Sequence, residues 1–215
     1  MKSSKLAKGI ALAIGALGLS QAFPAAAQVA HLTLTLGMPF NPERSYDITY
    51  TPENSDHFSI SERYRLPSGE VSYLAFVLGT VGGEVEAPFL TIDFGTQKLP
   101  NQALTVGTYT DTERAMVASA GHPGFDISFK NQGNNAVWGS FTIDSILFST
   151  EGKLLEFSSS FQAYGSYIYG TDFVDTYTGT FTYNAVREPD TAALFGIGLT
   201  ALGLQAARRR WQRTS

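Results

Sequence analysis

The stretch His31-Leu32-Thr33-Leu34-Thr35-Leu36 alternates a polar with an apolar side chain at every step. Because successive side chains of a β-strand point to opposite faces, this period predicts a strand with one buried and one solvated face. The same alternation returns in residues 125–129, 140–144 and 178–183. The body of the chain is therefore predicted to be built from half-buried strands.

Other segments extend this pattern. Residues 71–78 and 88–94 are rich in β-branched and aromatic side chains, which favour strands. Residues 139–148 and 154–161 flank a short turn and predict a β-hairpin. Gly152 supplies the positive φ angle that this turn needs.

Only residues 110–119 have a helical pattern, with Asp111 or Thr112 as the helix cap. Many short strands separated by Gly, Pro and Asn turns predict an all-β fold class, an antiparallel β-sandwich or jelly-roll-like domain. We expect roughly nine to eleven strands. A signal helix and a transmembrane helix are predicted in addition at the two ends of the chain.

The amino terminus has the three-part pattern of a secretory signal peptide, predicted over residues 1–27. Its charged region contains Lys2, Lys5 and Lys8. An apolar run over residues 9–19 follows, and the small residues Ala25 and Ala27 precede Gln28. This predicts use of a Sec-type export machinery, with cleavage after Ala27.

The carboxyl terminus has the pattern of a membrane anchor. Residues 192–204 carry no charged side chain. A helix over residues 191–207 would be about 25 Å long, which reaches the lower end of a membrane-spanning length. The cationic cluster that follows is Arg208, Arg209 and Arg210. By the positive-inside rule this basic stop faces the cytoplasm, so the body of the protein is predicted to be exported.

Glu188 and Pro189, followed by this apolar span and the arginine cluster, resemble the PEP-CTERM sorting tail of Gram-negative bacteria. The resemblance covers residues 187–215 and departs from the motif at its first proline, where this chain has Arg187. It implies an exosortase-like protease as a partner, and a cell envelope or biofilm matrix rich in exopolysaccharide as the destination. Pro189 also suits the first turn of a helix.

A second resemblance is carried by short Gly and Phe motifs: Gly107-Thr108-Tyr109, Gly139-Ser140-Phe141 and Gly179-Thr180-Phe181-Thr182-Tyr183-Asn184. Together they are similar to a secreted β domain that recurs ahead of such tails. Relatives grouped with that domain often have a cysteine pair, near the positions of Asn134 and Tyr164 here, whereas this chain has no cysteine. This resemblance implies a fold and no activity.

The predicted exported domain, residues 28–186, is strongly acidic. It contains 7 of the 15 Lys and Arg residues and 17 of the 19 Asp and Glu residues, a net charge of −10. Such a charge repels phosphate backbones, so nucleic acid is not expected as a partner. Without cysteines, no disulfide stabilises the domain, and its stability is predicted to come from burial.

No catalytic constellation can be assembled from the sequence. The three histidines, His31, His57 and His122, lie apart and no nucleophile motif accompanies them. Glu151 and Glu156 flank the predicted hairpin, but nothing in the sequence makes them converge as a glycosidase pair. The chain is therefore predicted not to be an enzyme.

The sequence contains candidate calcium ligands but no zinc site. Scattered histidines do not make a zinc site, whereas carboxylates in loops suit calcium. The calcium candidates are Asp172 and Asp175, with Glu84 and Glu86 as a second choice. The alternative is that these are solvated loop acids and that the protein has no cofactor.

A run of aromatic residues near the end of the body has two interpretations. In the first, tyrosines stack on sugar rings; the candidates are Tyr164, Tyr167, Tyr169 and Tyr177. In the second, Phe173, Phe181 and Tyr183 belong to the core and the other rings pair across strands.

These observations predict an exported, membrane-anchored surface or matrix protein with a structural or interaction role. The alternative is a carbohydrate-binding module that holds exopolysaccharide. A secreted hydrolase is the third hypothesis. The predicted location is the inner membrane at first, and then the cell envelope or extracellular matrix.

Overall fold

The computed structural model describes residues 27–38, 41–82, 86–130, 132–134, 136–166 and 174–186. These residues form eleven strands and one short 3₁₀-helix, Ala115–Val117. In chain order the strands are β1 (Ala27–Met38), β2 (Asn41–Tyr50), β3 (His57–Arg65), β4 (Val71–Gly79), β5 (Leu90–Gly95), β6 (Gly107–Arg114), β7 (Gly124–Phe129), β8 (Gln132–Gly133), β9 (Ala136–Phe148), β10 (Leu154–Ser166) and β11 (Asp175–Val186).

All eleven strands belong to one sheet, in the order β2-β1-β11-β10-β9-β6-β7-β5-β4-β3, with β8 paired to β7. Every pairing is antiparallel except the short one between β6 and β7. The prediction of an all-β, mainly antiparallel fold is confirmed.

The sheet folds over so that its two halves face each other across an aromatic core. Phe76 on β4 packs against Phe181 on β11, with ring centroids 4.7 Å apart. Phe94 on β5 packs against Phe157 on β10 at 4.9 Å. All four rings are completely buried. The apolar members of the alternating stretches therefore meet in the centre and the polar members lie outside.

The two ends of the sheet are held near its opposite half. At the β3 end, the Arg65 guanidinium donates to the carbonyl of Gly152 in the β9–β10 turn over 2.8 Å. At the β2 end, Tyr46 makes an edge-to-face contact with Phe129 on β7, with ring centroids 4.8 Å apart. β2 and β3 remain the edge strands of the sheet among the strands described.

The first and last strands pair along their whole length. The register of β1 with β11 runs from Ala27 opposite Val186 to Gly37 opposite Thr176. The start of β1 and the end of β11 are therefore neighbours in the sheet. The predicted export signal precedes the first of these strand ends, and the predicted anchor follows the second. Ala27 and Gln28 of the predicted cleavage site lie at the start of β1.

The predicted hairpin is confirmed. β9 and β10 are antiparallel neighbours, and Gly152 in their turn has φ of 78°. The burial of Phe181 and Tyr183 likewise confirms their prediction as core residues.

The predicted helix over residues 110–119 is wrong. Residues 110–114 belong to β6, and only Ala115–Val117 form a single 3₁₀ turn. β6 pairs with β9, and Asp111, with φ of 57°, lies in an irregularity of that pairing between Thr110 and Thr112. Pairing with β9 overrides the local helical preference, and the residue predicted as a cap forms a β-bulge.

Several predicted features lie outside the described residues. They are the signal segment 1–26 including Ala25, the sorting motif Arg187, Glu188 and Pro189, the helix 191–207, and the basic stop Arg208, Arg209 and Arg210. No helix in the part of the chain that is described has the length and hydrophobicity needed to cross a bilayer.

Candidate functional site

The outer face of β1, β11, β10, β9 and β6 carries two rows of short polar side chains. Because residues that pair directly across antiparallel strands point to the same face, the register fixes both rows. The first row is Thr33, Thr180, Ser160, Thr142 and Thr108. The second row is Thr35, Thr178, Gln162, Ser140 and Thr110. We call these the hydroxyl rows; no member of either is charged.

Hydrogen bonds between neighbouring strands hold parts of these rows. The Thr33 and Thr180 hydroxyls lie 2.7 Å apart, and those of Thr108 and Thr142 lie 3.0 Å apart. Each hydroxyl offers one donor and two acceptor positions, so one such bond leaves capacity for a ligand. The rows thus form a neutral surface able to donate and accept hydrogen bonds.

A shallow groove of about 410 Å³ runs across β9, β10 and β11 on this face. The polar side chains that line it all come from the hydroxyl rows: Ser140, Thr142, Ser160, Gln162, Thr178 and Thr180. Its volume falls within the usual range for sites that bind small organic molecules, about 300 to 1,000 Å³.

An aromatic pair lies next to this groove. Trp138 on β9 and Tyr164 on β10 are direct cross-strand partners, and their rings stack with centroids 6.3 Å apart and planes 24° from parallel. Trp138 is 41% exposed. Ser140 and Gln162 are the next residues on the same face of each strand, so this aromatic platform borders the polar lining.

The tyrosines predicted to bind sugar are only partly placed at this site. Tyr164 belongs to the aromatic platform, where it also satisfies the alternative prediction of cross-strand packing. Tyr177 is only 1% exposed, so its prediction as a stacking residue is wrong. It lies on the inner face of β11, where its hydroxyl accepts a hydrogen bond from the Asn134 amide over 2.7 Å. Tyr167 and Tyr169 lie outside the described residues.

Trp138 is the functional candidate that sequence reasoning missed. The signal was present, because Trp138, Ser140 and Thr142 fall on one face of an alternating strand. A large aromatic residue on a face of short polar side chains indicates a contact surface more than a core position.

The calcium candidates do not converge in the part of the chain that is described. Asp175 is nearly buried, and burial raises the pKa of its carboxyl group, while hydrogen bonds with Asn134 and Tyr177 act in the opposite direction. Asp172 and Glu84 lie outside the described residues, and Glu86 is exposed. Among the described residues, no three His, Cys, Asp or Glu side chains come together in a way that suits a metal ion.

The other half of the sheet carries an acid cluster on its outer face, formed by Tyr73, Asp93, Arg114 and Asp126. Asp93 and Asp126 are direct cross-strand partners on β5 and β7. The Tyr73 hydroxyl donates to Asp93 Oδ2 over 2.9 Å, and Arg114 Nε donates to Asp126 Oδ2 over 3.0 Å. Burial raises the pKa of Asp93 to about 6, and the hydrogen bond from Tyr73 opposes this rise. Asp93 can therefore exchange a proton close to neutral pH.

The histidines have structural partners. His31 Nε2 lies 2.6 Å from Asp47 Oδ1, on the solvated face that the alternation predicts. His57 makes an edge contact with Phe89. His122 contacts the Asp111 carbonyl, and this hydrogen bond raises its pKa.

Compared with models of known protein families, with curated proteins and with solved structures, the chain has no match.

Proposed function

We propose that this chain is an exported surface or matrix protein whose β domain binds neutral polysaccharide on the outer face of β9, β10 and β11. The single observation that supports this most strongly is the half-exposed Trp138, stacked on Tyr164 beside an uncharged groove of hydroxyl and amide side chains. A PEP-CTERM-like tail would tether the domain or deliver it to the matrix through an exosortase-like protease.

The chemistry of the groove suits a sugar. An aromatic ring accepts the C–H face of a pyranose by apolar contact, while its polar edge stays hydrated. Hydroxyl and amide groups at fixed spacing supply both donors and acceptors for sugar hydroxyls. Bridging water extends their reach without great cost in affinity.

The absence of charge in the lining selects among polysaccharides. Among the residues that the structure describes, no side chain lining the groove is ionisable. A charged sugar would lose hydration there without gaining an ion pair. The proposed ligand is therefore a neutral glycan strand, held by several weak contacts along the sandwich-like domain.

Retention of the full-length chain on immobilised neutral polysaccharides tests the proposal. We expect Trp138→Ala to weaken retention about tenfold or more, because the exposed ring supplies the stacking contact. Trp138→Phe keeps an aromatic face and should retain part of the binding. The matched control is Leu147→Ala, which truncates a similarly exposed side chain on the same strand, β9.

Equal retention of Trp138→Ala and wild type would contradict a glycan site at this platform. Failure of the wild type to bind any neutral glycan would leave the purely structural role as the better hypothesis.

The proposed location has its own test. Deleting residues 192–215 removes the predicted anchor, so the body should move from the membrane fraction to the periplasm or medium. A Leu147→Ala chain with an intact tail should stay in the membrane fraction or be processed as the wild type is. Membrane retention of the deletion would contradict the anchor.

A further inference from the structure

A small pocket lies at the open β2 end of the folded sheet, on its inner face and away from the hydroxyl rows. It has a volume of about 230 Å³ between β1–β2 on one side and β7–β8 on the other. The residues that decide its chemistry are Leu36, Met38, Arg44, Tyr46, Lys130 and Gln132.

Arg44 lies on the same face of β2 as Tyr46 and Ile48, which are aromatic and apolar. On β2, Ile48 pairs with Leu32, Tyr46 with Leu34, and Arg44 with Leu36, so all three β2 side chains lie on the inner face. Leu32, Leu34 and Leu36 are buried. Burial falls along this stripe, from buried Ile48 to half-buried Tyr46 to exposed Arg44, so Arg44 lines the pocket at its solvent-exposed end. Within the described part of the chain, no carboxylate forms an ion pair with Arg44.

A second cation lies at the same pocket. The Lys130 ammonium lies 5.1 Å from the centre of the Tyr46 ring, a distance typical of a cation–π contact. Arg44 and Lys130 are two of only seven Lys and Arg residues in the acidic body, and none of the described residues that line the pocket is acidic. An anion is attracted to this spot although the domain as a whole repels it.

We propose that this pocket binds a small organic carboxylate with a compact ring, specifically a hexuronic acid. A guanidinium pairs with a carboxylate through two parallel hydrogen bonds, which gives Arg44 the anchoring role. The Tyr46 ring and the apolar side chains of Leu36 and Met38 accept the C–H face of the sugar ring. The Gln132 amide donates to and accepts from ring hydroxyls, which a simple aromatic or fatty acid lacks.

This inference does not rest on the proposed function, because the pocket and the aromatic platform lie on opposite faces of the sheet. A Trp138→Ala chain should bind the acidic sugar as the wild type does. Loss of neutral-glycan binding and loss of acidic-sugar binding are thus separate results.

The methionines of the full-length chain provide the measurement. There are three, Met1, Met38 and Met116. Met38 lines the pocket, whereas Met116 lies half-exposed on the 3₁₀ turn. In detergent-solubilised full-length chain labelled with ¹³C at the methionine methyl groups, we expect sodium D-glucuronate to shift the Met38 signal saturably. The Met116 signal should not move, and D-glucose at constant ionic strength should have no effect.

Two substitutions test the cations and one controls for net charge. Arg44→Gln should weaken glucuronate binding about tenfold or more, and Lys130→Gln should weaken it less, because a lysine lacks the bidentate geometry. Lys98→Gln removes a positive charge from an exposed position outside the pocket and should leave binding unchanged. Far-UV circular dichroism reports whether each variant is folded.

Three outcomes would overturn the proposal. They are the absence of a saturable Met38 shift, an equal shift with glucose, and undiminished binding by folded Arg44→Gln. Sodium benzoate separates the sources of the carboxylate: tighter binding of benzoate than of glucuronate would overturn the assignment to a sugar acid.

Discussion

The two halves of the folded sheet share one aromatic core but have opposite outer chemistry. The half containing β9, β10 and β11 presents the uncharged hydroxyl rows, whereas the half containing β4, β5 and β7 presents the acid cluster of Tyr73, Asp93, Arg114 and Asp126. The inner faces are alike in chemistry, because phenylalanines of one half pack against phenylalanines of the other. The difference teaches that the core determines the fold, while the outer polar residues determine what each half can contact or titrate.

The largest expected effect removes what the two halves share. Phe94 is completely buried, and its ring meets Phe157 at 4.9 Å and Phe141 at 5.3 Å across the core. Phe94→Ala should lower the free energy of unfolding by about 3–5 kcal/mol, since it loses burial and leaves a cavity between the halves. Urea denaturation followed by circular dichroism measures the change.

Phe58→Ala is the matched control for this cavity, because Phe58 is only partly buried on the edge strand β3. Its smaller cost is expected from its smaller burial. Equal costs for the two variants would mean that the halves do not depend on a shared core.

The next effect lies within the half that carries the hydroxyl rows, where the backbones of β9 and β10 approach closely. Gly139 on β9 has φ of 143°, and a Cβ atom there would lie 2.2 Å from the Gln162 carbonyl oxygen of β10. Gly139→Ala should lower the free energy of unfolding by about 2 kcal/mol or more and should displace the neighbouring Trp138. Loss of glycan retention together with stability in this variant would link the platform to the β9–β10 contact.

Gly69→Ala is the control for Gly139→Ala, because it introduces backbone strain without a steric clash. Gly69, in the β3–β4 turn, has φ of 91° and nothing within 4 Å of the added Cβ. Gly69→Ala should lower the free energy of unfolding by about 1 kcal/mol and leave glycan retention unchanged. An equal or larger cost than that of Gly139→Ala would show that the close approach of β10 is unimportant.

The sequence determines the inner faces better than the outer site. Alternation over β1, β7, β9 and β11 predicts strands that the structure contains, because a period of two has one structural meaning. Neither β2 nor β3 is predicted, since both are edge strands whose inner faces are only partly apolar. The segment that contains β6 is predicted as a helix because its pairing with β9 is a distant interaction that local propensity does not report.

The candidate site shows the same limit. Tyr177 and Tyr164 have similar neighbours in the sequence, yet one is buried and the other borders the groove, because they lie on opposite faces of the sheet. Only the register of β10 with β9 reveals that Tyr164 meets Trp138. Partners from separate strands cannot be read from one strand's pattern.

A smaller effect is expected in the pH dependence of the free energy of unfolding, through Asp93 in the acid-cluster half. The pKa of Asp93 is raised from its ordinary value of 3.8 to about 6, mainly by burial. Between these values the folded state holds a proton that the unfolded state has released, so stability falls as pH rises from about 4 to 6. Asp93→Asn removes this penalty and keeps an acceptor for the Tyr73 hydroxyl. We expect it to raise the free energy of unfolding at pH 7 by about 1–2 kcal/mol, and to change it little at pH 4.

Denaturation curves at pH 4, 5, 6 and 7 measure this dependence. The matched control is Asp144→Asn, which neutralises an exposed carboxylate on β9 in the hydroxyl half. A stability difference between wild type and Asp93→Asn that is constant across this pH range would contradict a burial penalty on Asp93.

The smallest effect on stability belongs to the hydroxyl rows. Thr180→Val keeps the shape of the side chain but removes the exposed 2.7 Å contact with Thr33, so the free energy of unfolding should fall by less than about 1 kcal/mol. Because Thr180 also lines the groove, retention on neutral polysaccharide should fall severalfold. Thr91→Val makes the same change on the acid-cluster half and should leave retention unchanged. If both variants retain the glycan equally, the Thr180 hydroxyl does not contact the glycan, because Thr180 borders the groove and Thr91 does not.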